Sequence, residues 1–297
     1  MSFQQIQNDC YYYHSSVNIG YVKSGSYGML IDAGLDKSSI KKVLKELESH
    51  ELPLTHLFIT HAHSDHYGGA KYIQDQYSVH TIAPVLEEAI LRYPSIEPLY
   101  LFGGNDPIDE LQNKFLQGPP VRIDEVITET TFQFGDKTCD TFLLPGHSYH
   151  QLALRVDGIL FAADSYFSEE TLKKHKIPFL TDAHLALRSL ERLATIDCEI
   201  AVPGHGEQEE DPSSTISANI SCHKEIMEWI HEYVVNHELI SHEQLVSEVC
   251  NHYKVKASQL SQWLLYRTAV SGYLVGLLKE GKLEQSIEDN RWVFKSR

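Results

Sequence analysis

Apolar positions in the first two hundred residues follow two periods. Residues 18–22 and 28–32 are short, largely apolar runs joined by a turn-rich stretch, and they predict two strands. Ile40, Val43, Leu44 and Leu47 then fall at the i, i+3, i+4, i+7 spacing of one buried helix face, with Asp36 or Ser38 as its cap and Pro53 closing it. Leu57, Phe58 and Ile59 open a short buried strand over 57–60. Gly68 and Gly69 lead into a short helix, residues 79–83 read as a strand, and 84–91 as a helix. Strands resume at 130–134, 138–144, 152–156 and 159–163, the last two joined by an Asp157-Gly158 hairpin turn. An amphipathic helix over 182–195 and a strand over 199–202 complete the series. Strands alternating with helices, with polar residues collected at strand ends, predict a layered α/β domain.

Two stretches break the rhythm. Residues 92–120 set Tyr93, Tyr100 and Phe102 among prolines and glycines, which is too long for a connector and suggests either a lid or substrate-facing flap, or an interface or structural cover. The acidic, Pro/Ser-containing stretch 207–214 marks a boundary, giving domains at 1–214 and 215–297. Beyond it, helices are predicted over 216–235, 241–252 and 258–279. A hairpin around Asp289-Asn290 follows them, so that the terminal part reads as a small winged-helix-like module. Tyr11-Tyr12-Tyr13 reads as structural.

Charge narrows the partners. The formal net charge is −16, and residues 218–297 hold 9 basic and 10 acidic side chains. The preceding residues hold 16 basic and 31 acidic ones, a balance of −15. Such a field repels polyphosphate and disfavours nucleic acid as a partner. No run of about 18 apolar residues exists, so no membrane span is expected. The N-terminus lacks the basic and apolar regions of a signal peptide. Five cysteines, widely spaced and without C-x-x-C, read as reduced thiols and predict a cytoplasmic protein. A homodimer through the terminal module is a candidate assembly.

The candidate chemistry sits at the strand ends. The strand over 57–60 runs into Thr60-His61-Ala62-His63-Ser64-Asp65-His66, an H-x-H-x-D-H pattern. Imidazole and carboxylate suit Zn²⁺ and similar divalent ions, and a loop at a strand end can aim such residues at two adjacent ions. Three more strand ends supply His147, Asp164 and His205, and Pro-Gly precedes both histidines, which lets the chain turn tightly there. Neutral imidazoles hold ions without quenching their Lewis acidity, two carboxylates offset charge, and a position between the ions can hold water as hydroxide at neutral pH. Tyr149 and His150, following His147, are candidates for touching substrate or donating a proton.

In order, T-H-A-H-S-D-H-x-G-G, L-P-G-H-S, A-A-D-S and V-P-G-H-G closely resemble the motifs of the metallo-β-lactamase superfamily, and Asp32-Ala33-Gly34 resembles its first motif. The resemblance covers about residues 17–210 and implies a four-layer αββα sandwich with the site at one edge between the sheets. It implies two divalent metal ions, most simply Zn, with Mn or Fe as alternatives. His61, His63 and His147 would hold one, Asp65, His66 and His205 the other, with Asp164 bridging and Asp32 supporting the ligand loop. True β-lactamases commonly carry Cys where this chain has Asp164, and flavodiiron relatives carry Glu for the second histidine of the heptad. The ligand set matches the glyoxalase II, lactonase and RNA-processing branches. The terminal module resembles the C-terminal winged-helix-like domain of lactamase-like hydrolases.

The expectation is therefore a dinuclear metal hydrolase acting through a bridging hydroxide on a small thioester- or lactone-type substrate, with Asp65 helping to carry a proton. An endoribonuclease or phosphodiesterase of the lactamase-like type, and a mono-iron persulfide dioxygenase, are the alternatives.

Overall fold

The computed structural model describes residues 2–297. Its first half is a seven-stranded sheet in chain order: β1 (Ser2–Gln7), β2 (Cys10–His14), β3 (Ile19–Ser24), β4 (Tyr27–Ile31), β5 (His56–Phe58), β6 (His80–Pro84) and β7 (Glu125–Ile127). β1 to β4 run antiparallel, and β4 to β7 are parallel. Parallel pairs need crossovers, and these hold helices. They are α1 (Lys37–Ser49) after β4, α2 (Ser64–Tyr67) and α3 (Ala70–Gln76) after β5, then α4 (Glu87–Arg92) and α5 (Ile96–Leu101) after β6. The second sheet has the order β12-β11-β10-β9-β8. It contains β8 (Thr131–Phe134), β9 (Lys137–Leu143), β10 (Leu152–Val156), β11 (Ile159–Ala163) and β12 (Ile200–Pro203). α6 (Glu169–His175) and α7 (Ala183–Leu193) lie between its last two strands.

Side-chain alternation along the strands explains the layering. Val22, Met29, Ile31 and Phe58 of the first sheet meet Leu152, Leu154, Ile159, Phe161 and Val202 of the second in one apolar layer. The opposite face of the first sheet, with Tyr21, Leu30 and Leu57, packs on Ile40, Val43, Leu44 and Leu47 of α1 and on Ile73 of α3. The opposite face of the second, with Ala153, Leu160 and Ala162, packs on Leu190 and Leu193 of α7. The fold is thus helix, sheet, sheet, helix, as expected. Asp36 caps α1, its carboxylate accepting from the Ser38 and Ser39 amides at 2.9 and 3.0 Å.

Four strands lay outside the reading of the apolar pattern: β1, β2, β7 and the two-residue strand Ile240–Ser241. Tyr12 enters the layer between the sheets while Tyr13 packs toward the helices, so three consecutive tyrosines alternate faces as strand residues must. Their uniform amphipathic character hid that alternation. Residues 92–120 contain α5 and a single 3-10 turn at Asp109–Leu111.

The C-terminal part comprises α8 (Ser213–Val235), α9 (His242–His252), α10 (Leu260–Lys279) and a small sheet of β13 (Ile240–Ser241), β15 (Arg291–Ser296) and β14 (Leu283–Glu288). A division after residue 214 falls in the first turn of α8. Ala183, Ala186 and Leu187 of α7 share one apolar core with Ile226, Ile230, Tyr273, Leu277 and Phe294, so the two parts are packed through α7. No helix among the described residues is long and apolar enough to cross a membrane.

Candidate metal centre

Four strand ends deliver the donors to one edge of the sandwich. β5 ends at Phe58 and releases the loop bearing His61 and His63, and α2 carries Asp65 and His66. β9 precedes His147, β11 precedes Asp164 and β12 precedes His205. Ala163 has φ +50°, a left-handed conformation rare for alanine, at the point where the chain turns Asp164 inward. Gly204 is required beside it, because a Cβ there would collide with Asp164 Oδ1 and crowd His66.

The seven residues named from the sequence come together. His61, His63 and His147 form one set of donor atoms within 4.8 Å of one another. His61, His66 and Asp164 form a second set, and Asp65, His66 and His205 a third. His147 Nε2 lies 2.8 Å from His63 Nδ1. Asp164 faces both ends of the cluster, with Oδ2 at 3.4 Å from His147 Nε2 and 3.3 Å from His205 Nε2. His205 Nε2 is 3.5 Å from Asp65 Oδ2.

The outward nitrogens decide which atoms point in. His66 Nδ1 donates to Asp32 Oδ2 at 2.8 Å, His147 Nδ1 to the Phe179 carbonyl at 3.1 Å, and His205 Nδ1 to the Ser16 carbonyl at 2.6 Å. His61 Nδ1 is 3.0 Å from Thr60 Oγ1. These contacts turn Nε2 of each of these rings toward the cluster, where His63 presents Nδ1. Asp32, at φ +67°, also accepts from Thr60 N and Thr60 Oγ1 at 2.8 and 2.9 Å, tying β4 to the histidine loop.

Electrostatics divide the imidazoles. Burial first, then neighbouring imidazoles, push His61 well below 6.5, His63 down to about 4 and His147 down to about 3. Burial also opposes charge on His66 and His205, but Asp164 and other carboxylates outweigh it, holding His66 well above its ordinary value and His205 at about 9. Burial opposes charge on Asp164 as well, and His205 and His66 overcome it and hold the carboxyl well below its usual range.

The donors fit divalent cations on a further observation. His61 Nε2, His66 Nε2 and Asp164 Oδ1 are buried and make no hydrogen bond among the described residues, although His66 Nε2 and Asp164 Oδ1 face each other at 3.3 Å. Three such atoms converging on one spot cost several kcal/mol unless something electropositive satisfies them. Nitrogen and oxygen donors without thiolate suit Zn²⁺, Mn²⁺ or Fe²⁺.

The cluster forms the floor of a cavity of about 530 Å³ with largely apolar walls. Phe167 and Phe179 stand edge-on to His147, with ring centroids at 5.5 and 5.8 Å. Phe115 and Leu116 come from the 92–120 segment, and Leu265 comes from α10. Lys174 and His175 at the end of α6 also line it. Tyr149 is exposed and His150 half-buried, and neither is among the residues that line the cavity. The His150 amide is instead held by Glu87.

Three groups were not legible in the motifs. Glu87 accepts from Ala62 N at 2.9 Å with one oxygen, and from Ser148 Oγ and His150 N at 2.8 Å with the other. Glu97 is a buried carboxyl on the cavity wall, and burial, with Asp65 and Glu87 nearby, holds it well above the usual range. Phe179 lies in a segment without periodic pattern. The two acids had one available signal, their position in the first turns of short helices, which is also ordinary helix chemistry.

A family model described as the metallo-beta-lactamase superfamily matches residues 13–205. The lactamase-like protein adaB of Aspergillus niger is 25% identical over 209 residues, which cover 70% of this chain and 55% of that protein. Hydroxyacylglutathione hydrolase of Shewanella oneidensis is 29% identical over 139 residues, 45% of this chain and 43% of that protein. This chain thus spans about half the length of these curated relatives. Among solved structures, a beta-lactamase domain protein from Burkholderia ambifaria has a TM-score of 0.77 at 16% identity, covering 99% of this chain and 95% of that one. At that identity the likeness speaks for the fold. The matched stretch runs from the end of β2 to the last donor and contains all seven donor residues, and the chain belongs to the metallo-beta-lactamase superfamily.

Proposed function

We propose that this chain is a metal-dependent hydrolase of small carboxylic thioesters or related esters, holding two divalent ions, most simply Zn²⁺. The carrying observation is the convergence of seven N/O donors, five of which (His63, Asp65, His147, Asp164 and His205) line an apolar-walled cavity large enough for a small acyl group. His61, His63 and His147 would hold one ion, and Asp65, His66 and His205 the other. Asp164, which faces His147 and His205 through one oxygen, would serve both. When bound, such ions polarise a carbonyl and lower the pKa of water.

The protein's own groups then do the rest. The apolar walls, with Phe167 and Phe179 against His147, exclude bulk water from the reacting end. Asp65 is partly exposed to the cavity and is placed to accept and pass on a proton at its carboxylate. Lys174 puts a positive group at the cavity wall, which favours a substrate with an anionic portion. Kinship with a hydroxyacylglutathione hydrolase supports the thioester class. The five cysteines are all free, which favours a reducing compartment such as the cytoplasm. The C-terminal helices and terminal hairpin are assigned a winged-helix-like, structural role, because α10 supplies Leu265 to the cavity wall.

Elemental analysis of the purified chain, with a panel of thioester, lactone, phosphodiester and persulfide substrates, tests this reading. Two ions per chain with turnover of thioester or lactone are expected, and His61→Ala should lose metal and turnover together. One iron per chain with oxygen consumption, or full activity in His61→Ala, would overturn it.

A further inference from the structure

Glu97 is only 4% exposed, and its Oε2 atom is buried without a hydrogen-bond partner among the described residues. It lines the same cavity as the donors, among Leu35, Phe115, Leu116 and Leu265. A buried carboxyl oxygen left without a partner costs on the order of several kcal/mol. Its helix does not need it, since α5 has only six residues and Glu97 makes no capping contact there.

Its support is rigid. Leu101 of α5 packs with Leu111, Leu116 and Leu264 in a separate apolar cluster, so the segment rests on α10. Pro98 follows Glu97 directly and restricts its backbone. A polar group fixed in place, desolvated and unpaired, pre-organises a hydrogen bond for a ligand.

We propose that Glu97 determines specificity in this cavity by hydrogen-bonding a neutral polar group, a hydroxyl or an amide, carried on the acyl part of the substrate. This rests on the hydrolase reading above and narrows it to acyl groups that are not plain hydrocarbon. The desolvated walls suit the hydrocarbon portion of such an acyl group, while Glu97 alone rejects an acyl chain that cannot satisfy it. Without cationic pairing among the described residues, the acid form of Glu97 offers both a donor and an acceptor, which matches either a hydroxyl or an amide.

The test compares matched N-acetylcysteamine thioesters on the metal-analysed chain. One arm sets butanoyl against beta-hydroxybutanoyl and hexanoyl against omega-hydroxyhexanoyl. The other sets an alkanoyl ester against an N-acetylglycyl ester of like length, which separates hydroxyl from amide. The wild type should favour the polar member of at least one pair by about 10–100-fold in kcat/KM, the span of one buried hydrogen bond. Glu97→Leu should collapse that ratio, and Glu97→Gln should retain part of it, both with the metal content of the wild type. Calorimetric binding of the corresponding free acids should show the same Glu97-dependent ratio. If no thioester turns over but the free acids still discriminate through Glu97, the hydrolase reading fails and this inference stands. A ratio unchanged in folded Glu97→Leu, or no preference for the polar member of any pair in the wild type, overturns the inference while leaving the hydrolase reading intact.

Discussion

Glu87 Oε2 accepts a hydrogen bond from the backbone amide of Ala62, the residue between His61 and His63, at 2.9 Å. Its other oxygen holds Ser148 and His150, which follow His147. One buried carboxyl therefore ties together two loops that are remote in sequence and that carry three of the donor imidazoles. The preceding residue, Leu86, has φ +68° and is exposed, so the turn that presents Glu87 is strained.

Glu87→Ala should leave the Ala62 amide, the Ser148 hydroxyl and the His150 amide without their partner. Loss of about 3 kcal/mol in folding stability is expected from donors left unsatisfied, together with metal affinity weakened by about 10–100-fold. Denaturant midpoints and chelator competition measure the two effects separately. Unchanged metal affinity in the folded variant would show that the loops hold their geometry without Glu87.

Asp32→Asn tests the support of His66. Asparagine tolerates the positive φ at this position and can still accept from Thr60 N, but its amide cannot accept from His66 Nδ1 and Thr60 Oγ1 together. The fold should persist while affinity for the ion nearest His66 falls by about 10–100-fold. Metal titration by calorimetry is the measurement, and under the proposed two-ion function it should lose one of two binding steps.

Gly204→Ala should damage the site more than the fold. The added methyl would meet Asp164 Oδ1 and His66 Cε1, forcing the carboxylate out of the cluster. Metal content should drop below that of the wild type while β12 remains paired with β11. A variant with full metal content would contradict the close approach described above.

His223 on α8 sets an acid limit to stability. It is buried against Tyr273, 2.9 Å from its hydroxyl, and burial, with the nearby His147, lowers its pKa from 6.5 to about 4. The unfolded chain takes up the proton first, so stability from the neutral ring is complete above about pH 6.5 and drains away as pH falls toward 4. The loss amounts to about 3 kcal/mol by linkage. Thermal melts of wild type and His223→Gln between those pH values should diverge, with the variant showing the flatter dependence. Parallel curves would remove His223 from this role.

Much of the layered core was readable because it depends on local periodicity. Ile40, Val43, Leu44 and Leu47 can share one buried face only as a helix, and all four are buried. The strands before His147, Asp164 and His205 were likewise marked by short apolar runs ending at polar residues. β1 and β2 escaped because β1 is a half-exposed edge strand, and because tyrosines suit either face of a sheet.

The chain's own order of residues determined the donor types and their attachment to strand ends, since a motif is a local property and β-strand length fixes where each loop begins. Which nitrogen of His66, His147 and His205 faces inward was a matter for Asp32, Phe179 and Ser16, residues distant in sequence that become neighbours only on folding. Tertiary structure alone also decided that Glu87 clamps two loops and that Glu97 stays unpaired. A carboxyl's role depends on desolvation and on the partners it meets, and neither is encoded in its immediate sequence neighbours.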